Sequence, residues 1–393
     1  MKLINKFYQL TIRELRMFAS NSVMLAIFLG APVFFGLLLG FVYQDAQPDN
    51  LPIVVVDYDD SPLSNQLIDA LDDNQYLQVS HVFYDNGQVA DIMRKNAEHA
   101  VVNLPAGFEG DIQQKRYPEI EVELNAANIL TANYAARGIQ HVLATLNAGI
   151  EIEGLNKQGI PVAIASQRFE PFKVNITRFF NPGANYLEFL WPGILAAVLQ
   201  QVFLLVMALS FSREFETNTF GKLIGTTSNS FLIMMVKSLP YWLIGMALWG
   251  LILEFMFPFF RLPLDVNFTA LFTLSALFIL AATFIGILVS LLIPSQLKST
   301  EILMIVASPG FILSGFTWPL SEMPVWIQAF AKTIPLTPFL SGFRKVFMLD
   351  GSLQAVIPEI NNLLVLIVVF ALLSWLVLKL KIRKHAQVLN IEV

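Results

Sequence analysis

Apolar residues in this chain collect in long runs separated by short polar stretches. The runs lie at about Val23–Tyr43, Glu188–Phe211, Phe231–Phe257, Phe268–Ile293, Glu301–Gly315 and Ile357–Leu380. A hydrocarbon core about 30 Å thick takes about 20 apolar residues of helix to cross, so the pattern predicts an α-helical membrane protein of six spans. Pro32 inside the first run is tolerable in a membrane helix. Ahead of that run, Leu3, Phe7, Leu10, Glu14 and Met17 share one helical face, and Lys2, Lys6, Arg13 and Arg16 supply positive charge. Residues 1–21 therefore read as an amphipathic helix lying in the cytoplasmic interface. The run at 22–43 reads as a retained span, because it is long and no small-residue cleavage site follows it.

Residues 44–187 follow another rule. Leu51–Tyr58 (LPIVVVDY) has the pattern of a buried strand. Ser61-Pro62 gives an N-cap with proline at the first helical position, and SPLSNQLIDALDDN continues as an amphipathic helix. YLQVSHVF (76–83), HAVVNLP (99–105) and EIEVELNA (119–126) read as strands, with helices predicted in NGQVADIMRKN and AGFEGDIQQKR. A long helix over about Asn128–Lys157 and a last strand in KVNITRFF (173–180) complete the prediction of an inserted α/β layered domain.

Composition sharpens the picture. Of 393 residues, 55% are hydrophobic and 14% charged, against about 25% charged in soluble domains. Residues 44–187 hold 19 acidic against 9 basic residues, and the rest of the chain 11 against 16. An acidic domain is thus inserted into a basic membrane part, and no basic face suggests nucleic-acid binding. With the N-terminus inside, Lys2, Lys6, Arg13, Arg16, Arg213, Lys222, Lys298, Lys379, Lys381, Arg383 and Lys384 fall on the cytoplasmic side, as the positive-inside rule requires. Both termini are then cytoplasmic, with the tail at 381–393 inside and residues 44–187 extracytoplasmic. Lys332, Arg344 and Lys345 fall outside, within a broken apolar region at 316–347.

Catalytic candidates are sparse. There is no Cys, the four His are scattered, and no metal site is expected. Asp57, Asp59 and Asp60 follow a strand, where a turn with helix caps is favoured over a cation site. The lone Gly-Lys pair, Gly221-Lys222, lacks both the upstream glycine and the Ser/Thr of a phosphate loop. Lys237, Glu254, Glu188 and Glu301 lie near predicted span ends; as intramembrane ionisable residues they are functional candidates, but snorkelling to the interface is favoured.

The polar stretch between the second and third runs carries the strongest signal. Arg213-Glu214-Phe215-Glu216-Thr217-Asn218-Thr219-Phe220-Gly221-Lys222-Leu223-Ile224-Gly225-Thr226-Thr227 resembles the R-E-R-E-x-G-T-x-E-x-L-x-x-T/S-P run of type-2 ATP-binding-cassette exporter permeases, the long-loop subgroup with a large domain after the first span. Phe215, Asn218 and Thr227 depart from the family's Arg, Gly and Pro. A second block, with Pro309, Leu313, Ser314, Gly315 and Pro319, is similar to the family's P-x-x-x-L-S-G-x-x-x-P signature. Met323-Pro324-Val325-Trp326 and Ile334-Pro335-Leu336-Thr337-Pro338 resemble its sequels, with Ile334 departing from Asn. Asn181-Pro182 and Trp191-Pro192-Gly193 form a weaker third block.

The resemblance implies a permease that is not itself an enzyme. Arg213, Glu214, Glu216, Thr219, Gly221, Lys222 and Leu223 would form a coupling helix docking on a separate ATPase subunit, which would hold ATP and Mg. The residues from Pro309 to Pro335, Trp326 among them, would build re-entrant outer helices. Partners would be that ATPase, a second permease (identical or paralogous) meeting along spans one and five, membrane lipid, and a periplasmic adaptor in a double-membrane bacterium. The cargo would be amphiphilic, drug-like or lipid-like, leaving the cytoplasm or inner leaflet of a bacterial inner membrane. The competing reading is a membrane-anchored sensor or scaffold whose outer domain binds a ligand or protein; it explains the acidic domain but neither signature.

Overall fold

The computed structural model describes residues 2–45, 47–85, 87, 89, 98–169 and 179–391. The chain divides into two compact units, Met1–Ala46 with Arg178–Val393, and Gln47–Thr177. The first unit opens with helix α1 (Lys2–Ala19), whose Leu10 and Phe18 are buried. The Asn21 side chain caps the next helix by accepting the Met24 N–H. That helix, α2 (Ser22–Val42), contains one π-helical turn at Ala26–Gly30.

The inserted unit is built on β1 (Leu51–Asp57), α3 (Pro62–Asp72), β2 (Leu77–Phe83), β3 (Ala100–Leu104), α4 (Phe108–Gln113), β4 (Glu121–Leu124), α5 (Ile129–Lys157) and α6 (Val162–Phe169). The sheet order is β2-β1-β3-β4; β1 runs parallel to β2 and β3, while β4 is antiparallel to β3. The centre of β1 is buried on both faces, which is why it reads as a continuous apolar run. Ile53 and Val55 join Leu67 and Leu71 of α3 and Ala135 and Ile139 of α5, whereas Val54 and Val56 face Val101 and Val89. The β1–β2 register slips at Ser80, whose hydroxyl donates to the Ile53 carbonyl at 2.9 Å. The predicted helix NGQVADIMRKN falls almost wholly outside the described residues. So does most of KVNITRFF.

Two of the three aspartates, Asp57 and Asp59, are occupied by backbone N–H groups. Buried Asp57 accepts the Asp59 and Asp60 N–H groups and the Ser64 hydroxyl, and Ser61 and Ser64 form a reciprocal capping box. Asp59 accepts the Gly107 and Glu109 N–H groups at 2.7 and 2.9 Å, tying the β1 turn to the start of α4.

The helical unit resumes with α7 (Tyr186–Glu216), α8 (Phe220–Thr226), α9 (Ser230–Phe259), α10 (Phe268–Leu292), α11 (Gln296–Ala307), α12 (Gly310–Leu313), α13 (Val325–Ala331), α14 (Leu336–Met348) and α15 (Ile357–Ile391). Among the described residues five helical stretches are long and apolar enough to cross a membrane: Ser22–Val42, Tyr186–Glu216, Ser230–Phe259, Phe268–Leu292 and Leu353–His385. The apolar windows of α7 and α10 are 67% and 72% buried, so these two form the centre; those of α2, α9 and the last span are 22–33% buried and face outward. Gly36 lets α2 approach closely, since a Cβ there would lie 2.3 Å from Met256 Cε, and the Trp191 indole donates to the Gly36 carbonyl at 2.8 Å.

The stretch expected as a fifth span differs. Helix α11 starts earlier, at Gln296, and stops after 12 residues, about 18 Å. Proline at 309 cannot donate the backbone hydrogen bond a continuing helix needs, and the chain restarts as the four-residue α12. Gly315 then turns the chain with φ +81°, where a side chain would be strained and would crowd Leu320.

Asp59 generates a prediction about the inserted unit. Desolvation pushes its carboxyl up, but the amides of Glu109, Gly107 and Phe108 and the Ser61 hydroxyl together hold it below the ordinary value. The stabilisation is therefore fully present above the unfolded pKa of about 3.9 and is lost as pH falls through the lower folded value. Hydrogen exchange on the full chain is expected to show protection of the Gly107 and Glu109 amides at pH 5 that disappears toward pH 2. Asp59→Ala is expected to lack it at both, at a cost of about 1 kcal/mol as for other lost caps.

Candidate functional site

The polar segment at 213–227 begins inside α7, which carries its helix through to Glu216. Asn218 then turns the chain with φ +53°, and α8 runs to Thr226. Asn229 caps α9 by accepting the Phe231 and Leu232 N–H groups. The segment is thus a rigid bracket between two spans.

Its base is a buried ion cluster. Arg13 of α1 grips Glu214 with both terminal nitrogens, each at 2.8 Å. Lys237 of α9 lies 2.8 Å from both Glu214 and Glu14 and donates to the Ser210 carbonyl at 2.9 Å. The Thr219 hydroxyl donates to the second Glu214 oxygen at 2.5 Å. Glu14, Glu214 and Lys237 are no more than 2% exposed. Two cations and two carboxylates cancel, and the network satisfies both oxygens of Glu214; burial of charge is tolerable only on those terms. The hydrogen bonds Arg13 donates to Glu214 raise its pKa further, even against desolvation, so the guanidinium stays charged. A cavity of about 210 Å³ adjoins the cluster, lined also by Arg213, Thr217 and Tyr241.

The residues singled out in this segment are placed differently from one another. Glu214 and Leu223 are buried, and Arg213, Thr219 and Gly221 are half-buried. Glu216 and Lys222 are exposed, with Thr217 and Asn218 beside them. Glu216 also accepts the backbone and side-chain N–H groups of Gln296, tying the bracket to the start of α11. The last helix, α15, reaches back to the same place: Lys381 sits 4.1 Å from the Phe215 ring centre, and His385 stacks edge-on to Phe220 and lies against Gly221.

The second group lies elsewhere in the unit. Ser314 donates to the Phe311 carbonyl, Gly315 makes the turn, and Pro319 and Pro324 precede the short helices at Leu320–Glu322 and α13. Pro309 and Trp326 are exposed, Leu313 is half-buried and Pro335 is buried at the start of α14. Two residues not singled out hold this region. Gln200, buried in α7, accepts the Leu336 N–H at 2.9 Å. Arg344 lies over the Phe316 and Phe189 rings and donates to the Phe316 carbonyl. The bracket and the Gly315 turn are not brought together into one site.

Comparison with known proteins bears on what such an assembly is. The family model for ABC-2 family transporter proteins matches residues 22–376. The chain belongs to that family. It is 29% identical to the probable multidrug ABC transporter permease YbhS of Escherichia coli (strain K12) over 212 residues, 53% of this chain and 56% of YbhS. It is 25% identical to the inner membrane transport permease YhhJ of the same strain over 374 residues, 93% and 94% of the two chains. It is 21% identical to the probable multidrug ABC transporter permease YbhR over 266 residues, 68% and 69% of the two chains. The match to YbhS thus spans little more than half of that relative's length.

ABC-2 permeases lack the ATPase domain, so this multi-pass membrane chain is a transporter permease and implies a separate ATPase. Two of its departures from the resemblance have local explanations. Asn218 replaces a glycine where the backbone is left-handed, and asparagine is among the side chains that best tolerate that region. Phe215 replaces an arginine and stacks between Phe211 and Phe220 under the Lys381 ammonium.

The cluster makes a charge-specific prediction. Lys237→Met leaves two buried carboxylates against one guanidinium and is expected to cost about 3–5 kcal/mol. Lys237→Met with Glu14→Leu restores neutrality around the Arg13–Glu214 pair and should recover most of the loss in detergent melting temperature. Equal losses in both variants would assign the cost to packing instead.

Proposed function

We propose that this chain is the permease of an ATP-driven exporter and that segment 213–227 is where a separate ATP-binding-cassette ATPase docks. The observation that carries the reading is the bracket itself. An exposed polar tip bearing Glu216, Asn218 and Lys222 projects from a base locked to three other helices, α1 through Arg13, α9 through Lys237 and α11 through Gln296. A push on the tip would be delivered to those helices rather than absorbed in a loop. In this reading Glu214 and Leu223 position the bracket, and Glu216, Lys222 and the intervening polar residues meet the ATPase.

The contacts support a topology with both termini on the ATPase side. Arg13 near the N-terminus and Lys381 and His385 near the C-terminus gather at the bracket. The chain leaves and rejoins the helical unit at the other end, where the Tyr43 and Tyr186 rings are 5.6 Å apart. An even number of crossings follows, with α11 and α12 as a broken sixth passage and α13 and α14 as the re-entrant pair. Residues 44–187 would then be extracytoplasmic, and the membrane the bacterial inner membrane, in line with the name of YhhJ. An amphiphilic or drug-like cargo accords with the names of YbhS and YbhR. A second permease chain would complete the transport path.

Lys222→Glu tests the docking surface without touching the buried cluster. Its melting temperature should stay within the narrow range usual for surface substitutions, while the affinity for the ATPase recovered from the native host falls at least tenfold, about 1.4 kcal/mol. Undiminished ATPase recovery across salt concentrations would sink the assignment of this face. A wild-type chain that purifies without any phosphate-loop protein, even after crosslinking, would favour the scaffold reading.

A further inference from the structure

We propose that the groove between α9 and α10 is a binding site for a lipophilic monovalent cation, with the Glu254 carboxylate as counter-charge. The groove encloses about 660 Å³, within the range of about 300–1,000 Å³ usual for small-molecule sites. Its walls are aromatic. Phe268 and Phe272, one turn apart on α10, are 64% and 61% exposed. Trp249 forms the floor, fixed by its indole N–H donating to the Ser275 hydroxyl at 2.8 Å and by packing against Phe339 and Phe343.

Glu254 lines this largely apolar groove, and among the described residues no Lys, Arg or His lines it. The carboxylate is exposed and takes no hydrogen-bond or ion-pair partner among the described residues. It is presented by a π-helical turn, Ile252–Met256, inside α9. Such turns shift the facing of the residues they contain and recur at functional sites. An unpaired carboxylate in a spanning helix faces either water or a partner. Aromatic faces around a single negative charge select a delocalised cation by charge pairing and cation–π attraction together, and they repel an anion of equal size. Glu254 lies about 36 Å along α9 from Ser230, toward the end away from the bracket. The proposal rests on α9 and α10 spanning the membrane and does not depend on ATPase docking.

The test uses the full chain, without any ATPase, in phosphatidylglycerol nanodiscs. Tetraphenylphosphonium is the probe, and tetraphenylborate is a control of the same shape and opposite charge. Equilibrium dialysis is expected to find saturable binding of the phosphonium and none of the borate. Glu254→Gln should weaken phosphonium binding at least tenfold with an unchanged melting temperature, Glu254→Asp should restore most of it, and Phe272→Ala should weaken it several-fold. Equal phosphonium affinity in wild type and Glu254→Gln would overturn the proposal. So would equal binding of the borate, which would leave only an apolar crevice, or displacement of the phosphonium by added phosphatidylethanolamine, which would make the occupant a lipid headgroup. Lys222→Glu should bind the phosphonium as wild type does, so that a failure of ATPase docking and a failure of this site are told apart.

Discussion

A charge inside a membrane protein is tolerable only when its opposite is already in place, and this chain is assembled around that condition. Glu14, Glu214, Arg13 and Lys237 come from three separate helices, and each would be a liability without the others. Their mutual satisfaction fixes where α1 lies, how far α7 extends beyond its apolar stretch, and the angle at which the polar segment leaves it. The cluster is less a source of stability than a registration mark. It leaves few other ways of stacking these helices, because most alternatives strand a buried charge.

The inserted unit solves its polar problem by different means. There the carboxylates at the end of β1 accept backbone N–H groups of adjacent turns, so that Asp57 and Asp59 hold loops together rather than pairing with cations. The result is a sheet whose central strand can be wholly apolar while its exits are firmly tied. The acidic excess of this region and its local order are thus separate matters, one set by surface residues and the other by two side chains.

Much of this was legible in the residues. Lengths of apolar run located four of the spans and the last helix, a short continuous apolar run located β1 and alternation located β4, because burial acts locally in each case. The antiparallel β4 was not legible, since strand direction depends on partners distant in sequence. Pro309 was visible, yet the apolar stretch around it read as a span because composition does not register a missing backbone donor. In the polar segment the motif could not separate Glu214, which is buried, from Glu216, which is exposed. One signal for the cluster was present in Glu14, a carboxylate on the apolar face of an amphipathic helix. Lys237, expected to snorkel, is instead turned inward to meet it. Arg344 stood out only as a basic residue on the outer side, and Gln200 gave no warning, being a single polar residue whose partner is a backbone group.

The outward-facing character of α2 bears on how the molecule is made. Its partner α7 follows only after the inserted unit has been synthesised, 144 residues beyond Val42 by position. At translation rates of about 5–20 residues per second, that is roughly 7–30 s in which this first span has no other span of its own chain to pack against. A helix with only 22% of its apolar window committed to packing can wait in lipid for that long without exposing anything that needs a partner. What the later helices bring is specific: Phe203 of α7 meets Phe28 edge-on, Met256 of α9 comes close at Gly36, and the Trp191 indole of α7 donates one hydrogen bond. The first helix is shaped as much by the interval before assembly as by the assembled state.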